Sequence, residues 1–433
     1  MLWLIETDKI MILKTVSKNK KFLDKFENIS DPYESLSKIS SINYEKLVQH
    51  KPLSPSDISS LIIPSPEKLP YVCKVASMYR DSEKGKKITF SPKVFIPLTQ
   101  LCKDKCGYCT FRKEPDNQEP YLSIDSVVNL AKKASELGCL EALFTLGERP
   151  ESVYPQAKKW LKKKGFQSTL DYLFHACSNV LDNSSLFPHS NPGNMTKQEM
   201  IKLKEVNLSL GLMLESTSER LTQLNNPHFL APSKWPKVRK KMLNISGSLR
   251  IPFTTGILIG IGETFSERID SLFTIKEIDS KFNHINEIII QNFVPKFNTP
   301  MKNYPKPTFE ELLWATALSR LILGPKKNIQ VPPNLTNKNF PLLILSGIND
   351  WGGVSPITID FVNPESPWPT IKTLKESTEF FGFELTPRLA THPDMLKENK
   401  INLSKRIQKK LKQSINSDGF PKINKGYYEN YHS

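Results

Sequence analysis

From Lys93 onward short apolar runs alternate with longer amphipathic stretches, and no other feature limits the possible folds of this chain so tightly. Such alternation builds βα units around a parallel sheet. The runs fall at 94–98, 142–146, the approach to Phe187, 209–214, 254–259, 287–293, 329–332 and 343–347. Between them, 124–137, 197–206, 265–280 and 310–323 read as helices. Eight strands alternating with helices predict an α/β fold, a TIM-type (β/α) barrel. The chain has 433 residues, which suits one large barrel with helical extensions at both ends. We expect an N-terminal helical extension over 1–89, the barrel over 90–365, and a C-terminal helical extension with a lysine-rich tail over 366–433.

Nearly every run ends in polar or glycine-rich residues. Examples are Gly147-Glu148-Arg149, His189-Ser190-Asn191, Glu215-Ser216, Gly260-Ile261-Gly262-Glu263, Gln291-Asn292, Asn334 and Asn349-Asp350. In α/β barrels the C-terminal strand ends build the active site, so these residues are expected where chemistry occurs.

Six cysteines are too few and too irregularly spaced for a disulfide framework. Three of them, Cys102, Cys106 and Cys109, form a Cys-x3-Cys-x2-Cys segment directly after the first run. Thiolates are the usual protein ligands of iron–sulfur clusters, and three on one loop can hold three irons of a cubane. The fourth iron is then left for a substrate. A zinc site prefers four ligands in two pairs, and no second pair lies nearby. Cys73, Cys139 and Cys177 are isolated and read as small buried residues.

The formal charge of +16 raises nucleic-acid binding. Much of the excess lies at the ends, at 18–25 and 397–412, and lysine is heavy throughout, so a solvated lysine-rich surface is the preferred reading. The apolar start at Met1–Ile5 is broken at once by Glu6, Asp8 and Lys9, unlike a signal peptide. No apolar run reaches the roughly eighteen residues of a membrane span. A cytoplasmic protein without membrane attachment is expected.

The segment Cys102-Lys103-Asp104-Lys105-Cys106-Gly107-Tyr108-Cys109 matches the radical S-adenosylmethionine (SAM) signature. With Phe95-Ile96-Pro97-Leu98-Thr99-Gln100, Phe144–Glu151, Pro188–Gly193, Gly211–Ser216, Pro252–Glu263, Gln291–Lys296 and Gly347–Gly353, the chain from about 90 to 390 resembles the small subunit of 7,8-didemethyl-8-hydroxy-5-deazariboflavin synthase, the CofG type. Tyr108 and the Gly-Ile-Asn-Asp-Trp-Gly-Gly block favour it over the partner subunit. The resemblance implies a barrel of the radical SAM kind carrying one 4Fe-4S cluster on Cys102, Cys106 and Cys109, with SAM on the free iron. Electron transfer from the cluster cleaves SAM to a 5′-deoxyadenosyl radical that abstracts hydrogen from the substrate, here a 5-amino-5-(4-hydroxybenzyl)-6-(D-ribitylimino)-5,6-dihydrouracil adduct. Ring closure and ammonia release then complete the deazaflavin chromophore, the precursor of coenzyme F420. Implied partners are the second radical SAM subunit, which makes the adduct, and an electron donor such as flavodoxin or ferredoxin.

The same resemblance places Tyr108, Gly147, Glu148, Glu215, Ser216, Gly260 and Glu263 around SAM. Ser216 has a second reading as a helix cap. His189, Asn191, Asn292, Asn334 and Asp350 are substrate-side candidates by position. His189 can equally be structural and Asp350 can cap a turn. Another radical SAM carbon–carbon bond-forming reaction is one alternative, and a basic iron–sulfur RNA-binding protein is another.

Overall fold

The computed structural model describes residues 11–397, 401–424 and 426–431. Nine strands form one sheet: β1 Lys87–Thr99, β2 Glu141–Leu146, β3 Phe187–Asn191, β4 Ser209–Gly211, β5 Phe253–Ile259, β6 Ile285–Asn292, β7 Ile329–Gln330, β8 Asp350–Val354 and β9 Glu384–Pro387. Neighbours run from β2 in order to β8, then β1, and β1 also pairs with β2. The first eight strands therefore close into a parallel barrel, as expected. Both faces of such strands are covered, which is why β5 reads as an unbroken apolar and threonine run, Phe-Thr-Thr-Gly-Ile-Leu-Ile, with every residue buried.

Helices leave the strand ends through side-chain caps. Thr196 with Glu199, Thr264 with Glu267 and Thr308 with Glu311 each form a reciprocal capping box, starting the helices Lys197–Lys204, Phe265–Phe282 and Phe309–Leu323. Each box fixes the first turn just outside a strand end, so the preceding loop is held over the barrel mouth. Before the barrel, the helix Leu69–Lys84 packs on Phe309–Leu323 and buries Arg80, whose guanidinium donates to the carbonyls of Ile344 and Ile348.

Two expectations are corrected here. The run 343–347 is not the eighth strand. It ends a 3-10 segment, Pro333–Ser346, that turns at Gly347 (φ 84°), where a Cβ would lie 2.7 Å from the Ala76 carbonyl oxygen. A short apolar run cannot by itself separate a buried strand from a buried helix, and packing against Leu69–Lys84 selects the latter. The true β8 begins at Asp350, so Asp350 stands at the N-terminal end of its strand, on the barrel floor, and not at the mouth.

The C-terminal region adds a strand as well as helices. β9 pairs with the first four residues of β1. Beyond it, 388–392 crosses the floor: Asn286 Nδ2 donates to the Ala390 carbonyl (2.9 Å), Thr391 Oγ1 donates to the Leu208 carbonyl (3.1 Å), and Arg388 inserts between Glu287 and Asp350. Among the described residues no helix is long and apolar enough to cross a membrane.

Candidate active site

The cysteine loop leaves β1 and is fixed by backbone hydrogen bonds to three neighbours. Lys103 N donates to the Glu148 carbonyl (2.9 Å), Lys105 N to Leu230 (2.8 Å) and Gly107 N to Pro227 (2.8 Å), while Met301 N donates to Gly107 (3.1 Å). Cys109 N donates to the Cys106 carbonyl (3.2 Å), curling the loop so that Cys102, Cys106 and Cys109 line one cavity in the barrel mouth. The backbone N–H of Glu148 donates to Cys102 Sγ at 3.1 Å, the type of contact that tunes cluster sulfurs. Burial pushes the Cys102 thiol up to about 11 and Cys106 higher still. Buried thiols of this kind ionise readily only against a bound cation, so the donor set fits an iron cluster.

Beside the cysteines, Gly147 permits an approach no side chain would allow: a Cβ there would stand 2.0 Å from the Leu101 carbonyl oxygen and 2.7 Å from Cys102 Cβ. Glu148 is buried. Its Oε2 accepts from Asn194 N (2.7 Å), whereas Oε1 has no hydrogen-bond partner and only looser ion pairs with Lys103 (3.7 Å) and Arg149 (3.6 Å), and burial raises the carboxyl above its ordinary range. A buried carboxylate oxygen without a hydrogen bond is costly, and a ligand's donor would complete it.

Across the mouth, Glu215 adopts a left-handed φ of 64°. The conformation is held from both sides, Glu215 N donating to the Gly256 carbonyl (3.1 Å) and Leu258 N to the Glu215 carbonyl (3.0 Å). Strain sustained by its surroundings in this way is typical of functional positions. Burial opposes ionisation of Glu215, but the Lys234 ammonium paired with it prevails and holds the carboxyl low. Tyr108 forms a wall, its hydroxyl 3.0 Å from His228 Nε2. Burial and the nearby Lys234 bring His228 down to about 3.

Further in, the cavity is lined by Phe95 stacked on Trp368 (5.3 Å between centroids), then by Asn292, Asn191, His189 and Lys93. Lys93 Nζ donates to Glu141 Oε1 at 2.8 Å, and His189 Nδ1 lies 3.2 Å from the same oxygen.

Among the expected site residues, the three cysteines, Tyr108, Gly147, Glu148, Glu215, His189, Asn191 and Asn292 line this cavity together. Five do not. Ser216 Oγ accepts from Ser218 N (3.1 Å), a local turn in place of an open hydroxyl. The Glu263 carboxylate accepts from Gly260 N (2.8 Å) and Ile261 N (2.9 Å) and pairs with Arg268, so Gly260 and Glu263 form a closed turn. Asn334 donates to Asp360 Oδ2 and the Ser366 carbonyl, both at 3.0 Å. Asp350 is consumed by Arg388 on the floor. Sequence reading missed Lys93, Glu141, Lys234, Phe95 and Trp368. The lysines carry no signal in a chain this rich in lysine, and Glu141 lies one residue outside the apolar run 142–146.

A model of the radical SAM superfamily matches residues 96–275. The chain is 48% identical over 311 residues to the 7,8-didemethyl-8-hydroxy-5-deazariboflavin synthase of Methanopyrus kandleri, covering 72% of this chain and 93% of that one. It is 44% identical over 348 residues to the FO synthase of Nocardia farcinica, but spans only 40% of that longer protein. Among solved structures, methylornithine synthase PylB aligns with a TM-score of 0.63 at 19% identity over 79% of this chain and 96% of its own. The hydrogenase maturase HydG of Carboxydothermus hydrogenoformans aligns with a TM-score of 0.65 at 18% identity over 98% of this chain and 93% of its own. These two establish the fold, and the M. kandleri relative establishes more: this chain belongs to the 7,8-didemethyl-8-hydroxy-5-deazariboflavin synthase family of radical SAM proteins.

Proposed function

We propose that this protein is the radical SAM enzyme that completes the 7,8-didemethyl-8-hydroxy-5-deazariboflavin chromophore from the hydroxybenzyl–ribityluracil adduct, with ring closure and loss of ammonia. One observation carries the reading: three thiols, a buried carboxylate with one oxygen lacking a hydrogen bond, and a polar barrel interior open into the same cavity. Cys102, Cys106 and Cys109 hold the 4Fe-4S cluster. When bound, cluster and SAM together supply a one-electron cleavage that makes a hydrogen-abstracting carbon radical.

The chain's own residues bind and align. Gly147 opens the backbone for the methionine end of SAM, and Glu148 Oε1 accepts from its ammonium. Glu215, fixed by Lys234, faces the ribose. The Phe95–Trp368 pair and Asn292 flank the adduct and exclude water from the reacting carbon. The adduct comes from a partner radical SAM subunit, and an external donor such as flavodoxin or ferredoxin delivers the electron. Gly260, Glu263, Ser216, Asn334 and Asp350 take no direct part.

Incubating reduced, cluster-reconstituted protein with SAM and the adduct tests the reading. 5′-Deoxyadenosine and a fluorescent deazaflavin are expected, and the absence of both refutes it. Product from free tyrosine and ribityluracil without the partner subunit would instead favour carbon–carbon bond formation.

A further inference from the structure

Ammonia release requires a proton donor for the leaving amine and an acceptor for the proton lost from the neighbouring carbon. We propose that His189, oriented by Glu141, is the group that moves both protons, an assignment that rests on the deazaflavin reading above. His189 ends up inside the cavity because β3 is pleated and places it inward, and only 2% of its surface is exposed. Its Nδ1 lies 3.2 Å from Glu141 Oε1, and its Nε2 lies 3.1 Å from Asn191 Oδ1. Nε2 is hydrogen-bonded to Asn191, whereas Nδ1 lies within ion-pair reach of the Glu141 carboxylate without forming a hydrogen bond to it.

Glu141 is fully buried on β2. It accepts from Lys93 Nζ (2.8 Å) and Ser91 Oγ (2.5 Å), which together keep it a carboxylate. A carboxylate fixed in this way sets the ring plane and keeps the hydrogen on Nδ1, leaving Nε2 as the exchanging nitrogen. The neighbouring strand makes room for it. At Gly211 on β4 a Cβ would fall 2.0 Å from Asn191 Oδ1 and 3.0 Å from His189 Nε2.

The step balances without an oxidant. The carbon–nitrogen bond breaks with its electron pair going to nitrogen, and the Nε2 proton completes ammonia. The adjacent methylene carbon gives its proton to Nε2, and that carbon–hydrogen pair becomes the new double bond. The imidazole finishes as it began. Asn191 positions the ring and Lys93 positions Glu141. None of these four is needed to cleave SAM, so radical formation and ammonia release can be separated experimentally.

The experiment measures 5′-deoxyadenosine and ammonia together, with SAM, adduct and dithionite. In His189→Gln the ratio of 5′-deoxyadenosine to ammonia should rise on the order of 100-fold. In Glu141→Gln it should rise about tenfold, since orientation is lost and the ring is kept. In His189→Gly, added imidazole should restore ammonia release at least about threefold. A purely structural loss would lower both products together and leave the ratio where it is, and that outcome overturns the assignment. So does adduct binding, measured by calorimetry without SAM, that weakens by about 100-fold or more in His189→Gln, since His189 would then be a binding residue. If the wild-type protein yields no 5′-deoxyadenosine with the adduct, it is the deazaflavin reading itself that fails.

Discussion

The mouth and the floor of the barrel each bury carboxylates, but only the floor pairs all of its own at hydrogen-bond distance. On the floor, Glu287 and Asp350 are both paired with Arg388, Thr89 Oγ1 donates to Asp350, and every charge has its counterpart within the chain. At the mouth Glu215 is paired with Lys234, but Glu148 Oε1 and Asp104 Oδ1 have no hydrogen-bond partner, Glu148 Oε1 reaching Lys103 and Arg149 only at 3.7 and 3.6 Å, and burial raises both carboxyls. All of these carboxylates are buried. The difference is that the floor meets each carboxylate with a close cation, whereas the mouth leaves two carboxylate oxygens without a hydrogen bond, open to something bound. Neutralising the floor should therefore cost stability, and neutralising the mouth should cost binding.

The sharpest test removes the mouth's thiols. Cys102→Ala, Cys106→Ala and Cys109→Ala should each abolish SAM cleavage, with loss of iron and of the cluster's visible and EPR spectra after anaerobic reconstitution. Full activity in any of them would break the comparison at its strongest point.

On the floor, Arg388→Met should destabilise the protein by about 3–5 kcal/mol, because two buried carboxylates lose their cation. Denaturant unfolding measures this, and a loss under about 1 kcal/mol would mean that the floor is not self-completing. Glu148→Gln is the opposite case. SAM affinity should fall about 10- to 100-fold by calorimetry, as expected for a charged hydrogen bond of about 1.4–2.8 kcal/mol, while the melting temperature should not drop. A marked fall in melting temperature would place Glu148 with the floor residues.

Between the two layers lies Glu141, held down to about 2 against burial by Lys93 and His189. A carboxyl depressed from 4.5 contributes stability above pH 4.5 and loses it as pH falls from about 4.5 toward 2. Lys93→Met should flatten that acid limb in a pH series of unfolding free energies. An unchanged limb would assign it to other groups. The smallest effect is expected at Cys73, Cys139 and Cys177, which are buried away from the cavity. Alanine at each should keep the cluster and cost on the order of 1 kcal/mol.

The barrel and the ligand loop were legible because both are written in local patterns: period, punctuation and thiol spacing. The cavity's inner lining was not. Lys93 and Glu141 meet only because β1 and β2 pair in register, Lys93 opposite Glu141, across a gap no local window spans. Glu263 and Ser216 misled for the converse reason. A carboxylate or hydroxyl after a strand looks alike whether it waits for a ligand or closes its own turn, as both of these do. Asp350 was misplaced because Leu-Leu-Ile-Leu at 342–345 imitated the strand that comes just after it.

Arg388 also bears on the order in which the molecule can assemble. It follows β9, which comes after all eight barrel strands in the chain, yet it neutralises carboxylates on β6 and β8. Until 388–392 docks, a nascent barrel holds Glu287 and Asp350 facing each other without their cation. Eight strands can pair before that point, but the enclosed ring is electrostatically open. The segment after β9 therefore acts as a latch, and a chain cut just before Arg388 would keep every residue that lines the cavity while leaving Glu287 and Asp350 without their cation.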